Sequence, residues 1–579
     1  MLVAKLKIID KMKKIIGLFL SLIVLMSSSA YNAEEPAGPQ KPNPGESMCL
    51  TFVSSGKSTI ALIKEGEPYE ITLEYSVDGG VWKLYTIGKT VELADGGKLM
   101  FRAGGEGNDN FSAEYEDYYR FIISGSVAAR GNIMSLLDRS CKKNTVPPQA
   151  FNSLFKDCRS LTSAPALPAR KLTEDCYIRM FSGCTNLTEA PALPATELAT
   201  RCYDKMFEGC TSLTEAPVLP ATELAKACYA YMFDGCTSLT EAPALPATEL
   251  ALWCYYSMFM GCKSLTKAPA LPATELAERC YGGMFYGCKS LTEAPELPAI
   301  KLAKRCYEGM FRGCTNLTEA PVLPATKLAW NCYSNMFISC TSLTEAPALP
   351  ATELAEGCYF RMFKGCKSLT KSPILPAREL AERCYQNMFS DCTSLTKAPE
   401  LPATKLAKKC YSSMFVGCTG LTKAPDLPAT ELADYCYDCM FSGCTGLTSA
   451  PALPAIELAY GCYSGMFYGC TGLTKAPVLP ATKLAEKCYY KMFSGCTSLM
   501  KAPALPATEL ASRCYYRMFY GCTNLNYVKS LFTDEPSEEA TYNWLSGVSS
   551  TGTFVKSKDA TWDVRGDDGI PEGWTVEIE

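Results

Sequence analysis

The sequence predicts an α/β repeat solenoid preceded by a small all-β, sandwich-like domain, and three observations carry that expectation. A cysteine, usually preceded by Gly, recurs every 26 residues from Cys158 to Cys522 without insertion or deletion, so fifteen landmarks bound fourteen repeats. Between landmarks a Tyr, a Met and a Phe are identical in every copy, from Tyr177, Met180 and Phe181 to Tyr515, Met518 and Phe519. Ahead of the repeats, short β-rich runs such as "CLTFVS", "YEITLEYS" and "KLMFRA" are punctuated by "DGG" and "GGEGND". Such turn chemistry suits a small antiparallel sandwich of roughly 80 residues.

Taken in chain order, residues 1–30 read as a signal peptide. Lys5, Lys7, Lys11, Lys13 and Lys14 precede the apolar run "IIGLFLSLIVLM" and the small residues "SSSA", with cleavage expected near Ala30 or Ala33. The apolar run is too short to span a bilayer comfortably. A Pro- and Glu-containing linker follows at 31–47, then the β-domain at 48–130, a cap or partial repeat at 131–158, the solenoid at 159–525 and a C-terminal capping segment at 526–579. No later stretch is apolar enough to hold the mature chain in a membrane.

A fixed period of this length with a leucine-led strand points to the leucine-rich-repeat type of solenoid, in which each copy buries its apolar side only against its neighbours. In the second copy Cys202 and Met206 lie four apart, as do Tyr203 and Phe207, so on a helical wheel they share one arc. Arg201, Asp204, Lys205 and Glu208, at positions that vary between copies, fall on the other side. The spacing therefore predicts a helix whose constant side chains are buried and whose variable ones face water. Its end is expected at the Gly before the second cysteine, in the left-handed conformation of a helix C-cap, with Asp157, Ser339 and Asp391 as replacements and Ser339 the strained copy. The "LTxAPxLP" segment that follows carries two prolines that cannot donate ladder hydrogen bonds, which limits its strand to about three residues.

The repeat resembles the BspA-like leucine-rich repeats of bacterial surface proteins. "SLTEAPALP" stands for the family's first strand, "ELA" for its second, and "CYDKMFEGC" for its helical turn, lengthened by about one turn. The opening segments "EYSVDGGVWKLY" and "GNIMSLLD" and the ending "GTFVKSKDATW…GIPEGWTVEIE" look like segments that accompany this repeat subtype. The departures are the 26-residue period and Ala-Pro where the family usually has isoleucines. The resemblance implies an exported or cell-surface protein whose partners are host extracellular or cell-surface proteins, glycans or other bacteria.

Composition narrows the function classes. With 56 basic and 60 acidic residues the net charge is only −4, so the chain lacks the concentrated positive potential that nucleic acids require. It contains no histidine, which removes the usual general base and the Ser-His and Cys-His nucleophile pairs. No enzymatic activity and no cofactor are expected. With no histidine to complete a ligand set, the 32 cysteines carry no expected metal site; they read as buried thiols ahead of inter-repeat disulfides. Cys439 lies on the variable side and is the candidate reactive thiol. Glu197, Glu223 and Glu249 form a carboxylate row, but Lys301, Lys327, Lys405 and Lys483 replace its members further on, so it reads as a solvated edge.

What remains is the variable side, which carries large side chains where water is expected. The candidate binding residues are Tyr231, Trp253, Tyr256, Tyr286, Trp330 and Phe360, continued by Tyr435, Tyr460, Tyr468, Tyr490, Tyr516 and Tyr520. The leading expectation is a surface protein that uses this face for adhesion. The alternative is a secreted glycan-binding accessory protein whose ligand site lies on the N-terminal β-domain.

Overall fold

The structure, a computed structural model, describes residues 48–112 and 116–579; the expected signal peptide and linker lie outside the described residues. The chain enters through seven strands: β1 (Leu50–Glu65), β2 (Leu73–Val77), β3 (Lys83–Leu84), β4 (Val91–Leu93), β5 (Lys98–Ala103), β6 (Tyr118–Arg130) and β7 (Leu161–Ser163). They form one sheet in the order β3-β2-β5-β1-β6-β7, with β4 also paired to β1. β1 and β6 pair antiparallel along most of their length, broken by a register shift between Ser55 and Thr59.

Within the described residues this differs from the expected sandwich. The inner face of the sheet is covered by the first turns of the repeat region instead of by a second sheet. Phe52 meets Phe121 edge-on at 4.9 Å, Phe121 stacks on Phe155 at 5.3 Å, and Phe155 stacks on Phe181 at 5.3 Å. β7, the first piece of the repeat region, pairs parallel with β6. One continuous apolar core therefore runs from Leu50 to Trp574.

The repeats stack as rungs, but the segment expected to be helical is a run of tight turns. In the second copy the amides of Cys202, Met206 and Cys210 bond three residues back, to the carbonyls of Ala199, Tyr203 and Phe207. Arg201, Lys205 and Gly209, at φ of 52°, 58° and 71°, occupy the third position of these turns, the type II pattern. The intervening amides leave the rung. Tyr203 donates to the carbonyl of Cys228 at 3.0 Å, Lys205 to Ala230 at 2.9 Å and Phe207 to Met232 at 2.9 Å. A helix keeps every interior amide bonded within its own segment. Here the next rung offers a row of carbonyls, and every second amide is drawn to it.

The glycine before the second cysteine does take up positive φ, at 77° in Gly183, and so do its replacements Asp157, Ser339 and Asp391, at 59°, 60° and 62°. It is one of three such positions per rung and not the end of a helix. The "LTxAPxLP" and "ELA" segments contribute mostly single parallel bridges, such as Glu189 to Glu215 and Lys171 to Glu197. Pro191, two residues after Glu189, and Pro194, three before Glu197, have no amide hydrogen with which to extend the ladder on that side.

The partition into buried and wet residues survives the change of backbone. The constant Cys, Tyr, Met and Phe of every rung are buried. Tyr203 and Tyr229 stack at 5.8 Å and Phe207 and Phe233 at 5.6 Å, and these two columns continue rung by rung to Tyr515 and Phe519. At the far end Trp544 takes the place of the tyrosine, 5.9 Å from Tyr515, with its indole donating to the carbonyl of Gly569. Strands β8 (Tyr527–Ser530), β9 (Thr553–Lys556) and β10 (Thr575–Ile578) pair in parallel beside it, and the short helix α1 (Glu538–Thr541) precedes Trp544. Among the described residues no helix is long and apolar enough to cross a membrane.

Candidate binding face

The left-handed positions build the candidate binding side of the molecule. Each rung's backbone must turn sharply at these positions to send its amides across to the next rung, and the side chains on those corners project away from the Tyr and Phe columns. Corner residues in different rungs include Arg201, Lys205, Tyr231, Trp253, Arg279, Arg305, Arg383, Lys409, Tyr435, Lys487 and Arg517, all at positive φ. The backbone strain of a non-glycine residue there is offset by the two sets of hydrogen bonds that fix it.

The structure places the expected aromatic residues on this side in several groups. Tyr256 touches both Tyr231, edge-on at 5.3 Å, and Trp253, at 5.0 Å. Trp330 and Phe360 form a second group. Tyr435 and Tyr460 meet edge-on at 5.1 Å. Tyr490, Tyr516 and Tyr542 stack at 4.8 and 5.0 Å. Tyr286, Tyr468 and Tyr520 are exposed; the other nine candidates are half-buried.

Reading the aromatic pattern by itself missed the cations that cover these rings. Arg279 lies over Trp253 at 4.5 Å, Arg305 over Trp330 at 4.3 Å and Arg312 over Tyr286 at 5.2 Å. Lys205 sits over Tyr231 and Lys409 over Tyr435. Arg383 approaches Phe360, and Arg517 approaches Tyr516 and Tyr520. Lys487 lies over Tyr460 and donates to its phenol oxygen at 2.5 Å, which lowers the pKa of that phenol. The signal was present in the sequence: Arg279 and Trp253, Arg312 and Tyr286, Lys205 and Tyr231, and Lys409 and Tyr435 are each one period apart, so a cation one copy away from a ring becomes its neighbour.

Around Trp330 the face opens into a cleft of about 230 Å³, lined by Arg305, Glu308, Trp330, Asn331, Phe360 and Arg383 among others. Its floor depends on Gly357, at φ 59°, where an added Cβ would lie 2.1 Å from Asn331 Oδ1. Arg305 Nε is buried without a hydrogen-bond partner and stands 3.6 Å from Glu308. Burial raises the Glu308 carboxyl pKa, with Arg279 pulling the other way. The cleft thus combines two apolar walls, Trp330 and Phe360, with the guanidinium groups of Arg305 and Arg383. It can receive a side chain or ring carrying an acceptor oxygen.

Acids elsewhere on this side are partly sequestered. Asp175 is buried and receives Arg201 at 2.6 Å. Burial pushes Asp204 up to about 7 and Asp234 up to about 6. Cys439, the candidate reactive thiol, is half-buried beside Asp438, 3.6 Å away, and burial together with that carboxylate pushes its pKa up to about 12. The corner position that made it look available is also where a carboxylate keeps it protonated, so its thiolate is suppressed.

The carboxylate row at Glu197 is exposed, and its lysines pair along it: Lys171 with Glu197 at 3.0 Å, Lys327 with Glu353 at 2.9 Å and Lys405 with Glu431 at 3.1 Å. Among the described residues no group of three or more Cys, Asp or Glu is placed to hold a metal ion.

A solenoid of stacked rungs that carries one varied, ring-rich face and a constant interior is a scaffold of the leucine-rich-repeat class. The family described as the BspA type leucine rich repeat region matches in six copies at residues 149–267, 254–370 and 356–500, more than half of the chain, and the chain belongs to that family. No curated protein matches it. Among solved structures, the chain is similar to a crystal structure of a TLR13–ssRNA13 complex at 14% identity and a TM-score of 0.23, over 74% of this chain and 53% of that one. The chain thus spans about half the length of that structure's chain, and a likeness of this degree carries no argument about binding.

Proposed function

We propose that the corner face is a protein-binding surface and that the chain is an exported surface protein serving adhesion. The observation that carries the reading is the series of half-buried rings held under cations, centred on the Trp330–Phe360 cleft. Trp, Tyr and Arg are the residues that dominate protein interfaces when they sit in partly desolvated positions, and here the rungs hold them in place before any partner arrives. The partners that fit are host extracellular-matrix or epithelial surface proteins, or proteins on other bacteria. Absence of histidine and a corner face built for contact favour a binding role over catalysis.

The test is retention of the purified chain on surfaces coated with matrix proteins and on epithelial and bacterial cells. Trp330→Ala with Phe360→Ala is expected to reduce retention at least tenfold while far-ultraviolet circular dichroism stays unchanged. Retention equal to that of the parent chain would refute the assignment of this face.

A second reading, a glycan site on the N-terminal sheet, is favoured by one feature. Val81 and Leu84 are exposed at the edge strand, beside Trp82, which lies under Arg102 at 3.9 Å. Trp82→Ala separates the two readings, since it abolishes glycan capture only if the ligand sits on the sheet. Removing the sheet altogether does not separate them, because it strips Phe121 from Phe155 and uncaps the core.

A further inference from the structure

A separate stretch of each rung, where "LTxAPxLP" runs, carries a second row of charged residues with a different distribution. Glu189, Glu215, Glu241, Glu293, Glu319 and Glu345 occupy the N-terminal half of this row, interrupted by Lys267. Lys371, Lys397, Lys423, Lys475 and Lys501 occupy the C-terminal half, interrupted by Ser449. All are exposed. Parallel bridges hold neighbours side by side, including the like-charged pairs Glu189 with Glu215, Glu293 with Glu319 and Lys397 with Lys423. Among the described residues the ion pair within this row is Lys371 with Glu345, at the junction of the halves. The Glu197 row, by contrast, mixes both signs along its length and pairs internally at several rungs. Like charges stacked about 4.8 Å apart repel, so the segregated row is destabilising in an isolated chain.

We infer that this face docks against the same face of a second copy, running antiparallel, with the two-fold axis between Glu345 and Lys371. Reversing the row about that point places Glu345 opposite the second copy's Lys371, Glu319 opposite Lys397, Glu293 opposite Lys423, Glu241 opposite Lys475 and Glu215 opposite Lys501. The interrupting residues meet each other, Lys267 against Ser449, so neither exception creates a clash of like charge. A two-fold contact of this kind is self-complementary and closes at two copies.

The same face supplies apolar area. Val218, Val322, Ile374 and Val478 are 78%, 75%, 80% and 78% exposed, at the x of "APxLP" or, for Ile374, of "SPxLP". In the register set by the charged row Val218 comes opposite Ala504, Val478 opposite Ala244 and Ile374 opposite Ala348, so each of these three meets a small apolar side chain. A strip about 60 Å long and three residues wide approaches the roughly 800 Å² per partner of a stable interface. Two pairings oppose the arrangement: Val322 comes opposite Glu400, and Glu296 comes opposite Asp426. Glu296→Lys is therefore expected to tighten the dimer.

Sedimentation of the purified chain at about 10 µM in low salt is expected to give twice the chain mass, falling toward the monomer near 1 M salt, where charges are screened beyond about 3 Å. Lys397→Glu with Lys423→Glu, and separately Glu293→Lys with Glu319→Lys, are each expected to weaken self-association at least tenfold. Mixed in equal amounts, the two variants restore opposite charges at all four contacts, and a heterodimer is expected. A monomeric parent chain at low salt, assembly beyond two copies, or a mixture that stays monomeric while the parent dimerises would each overturn the inference. Circular dichroism of both variants distinguishes lost docking from lost fold.

Discussion

Cys210 Sγ lies 3.1 Å from the carbonyl oxygen of Phe181 in the preceding rung, and that carbonyl also accepts the amide of Cys184 at 3.1 Å. The same thiol-to-carbonyl contact recurs from Cys184 on Phe155 to Cys522 on Phe493. A small apolar residue would fill the space. Cysteine also supplies a donor for the second lone pair of a carbonyl that points into the core.

The thiol is thus held protonated, and burial pushes the pKa of Cys210 up to about 12. At pH 8 its thiolate fraction is on the order of one in ten thousand, against a substantial fraction for a free cysteine. Titration of the native chain with an aromatic disulfide reagent is expected to modify no buried rung cysteine until urea is added. Cys210→Ala should lower stability by about 1–2 kcal/mol, since a weak bond and a little packing are lost while the carbonyl keeps its amide donor. Rapid modification of the buried thiols in native buffer would contradict the arrangement.

The tyrosine column makes the opposite kind of prediction. The phenol oxygens of Tyr177, Tyr229, Tyr437 and Tyr463 are buried without a hydrogen-bond partner, whereas their rings stack on both neighbours. An unmet buried hydroxyl costs about 1–3 kcal/mol. Tyr229→Phe should therefore leave the urea midpoint unchanged or raise it, while Tyr229→Ala should lower stability by about 3–5 kcal/mol through the cavity it opens in the column. A clear loss of stability in the phenylalanine variant would show that the hydroxyl has a partner.

Asp204 supplies a pH dependence. Burial raises its pKa from 3.8 to about 7, against the pull of Lys205, Arg201 and Arg179. Between those values the folded chain holds a proton that the unfolded chain has released, so this group's contribution is complete below about pH 4 and is lost as the pH rises through about 7. Asp204→Asn removes that proton linkage. The variant is expected to unfold at higher urea than the parent at pH 7.5, with the gap closing toward pH 4; a constant gap across this range would rule the explanation out.

The sequence exposed which side chains are sheltered, because a four-residue turn and a 3.6-residue helix differ by little over nine residues. Cys202, Tyr203, Met206 and Phe207 fall together on either backbone. For the same reason it could not tell the two backbones apart. That depends on where the amides of Tyr203, Lys205 and Phe207 find acceptors, and their acceptors lie about one period away, in the next rung. The ring positions of the candidate binding face were visible as large residues at variable sites. Their covering cations were not recognised, since Arg279 and Trp253 become neighbours only when rungs stack.

The amino-acid sequence by itself determined that the chain repeats, how often, and which residues of each copy must be hidden from water; composition and periodicity are sufficient for that. The tertiary structure alone decided that the copies are turns instead of helices, that the N-terminal strands form one sheet sharing the solenoid's core, and which rings and charges meet. Those outcomes are set by hydrogen bonds and contacts between rungs, which exist only after the rungs have stacked.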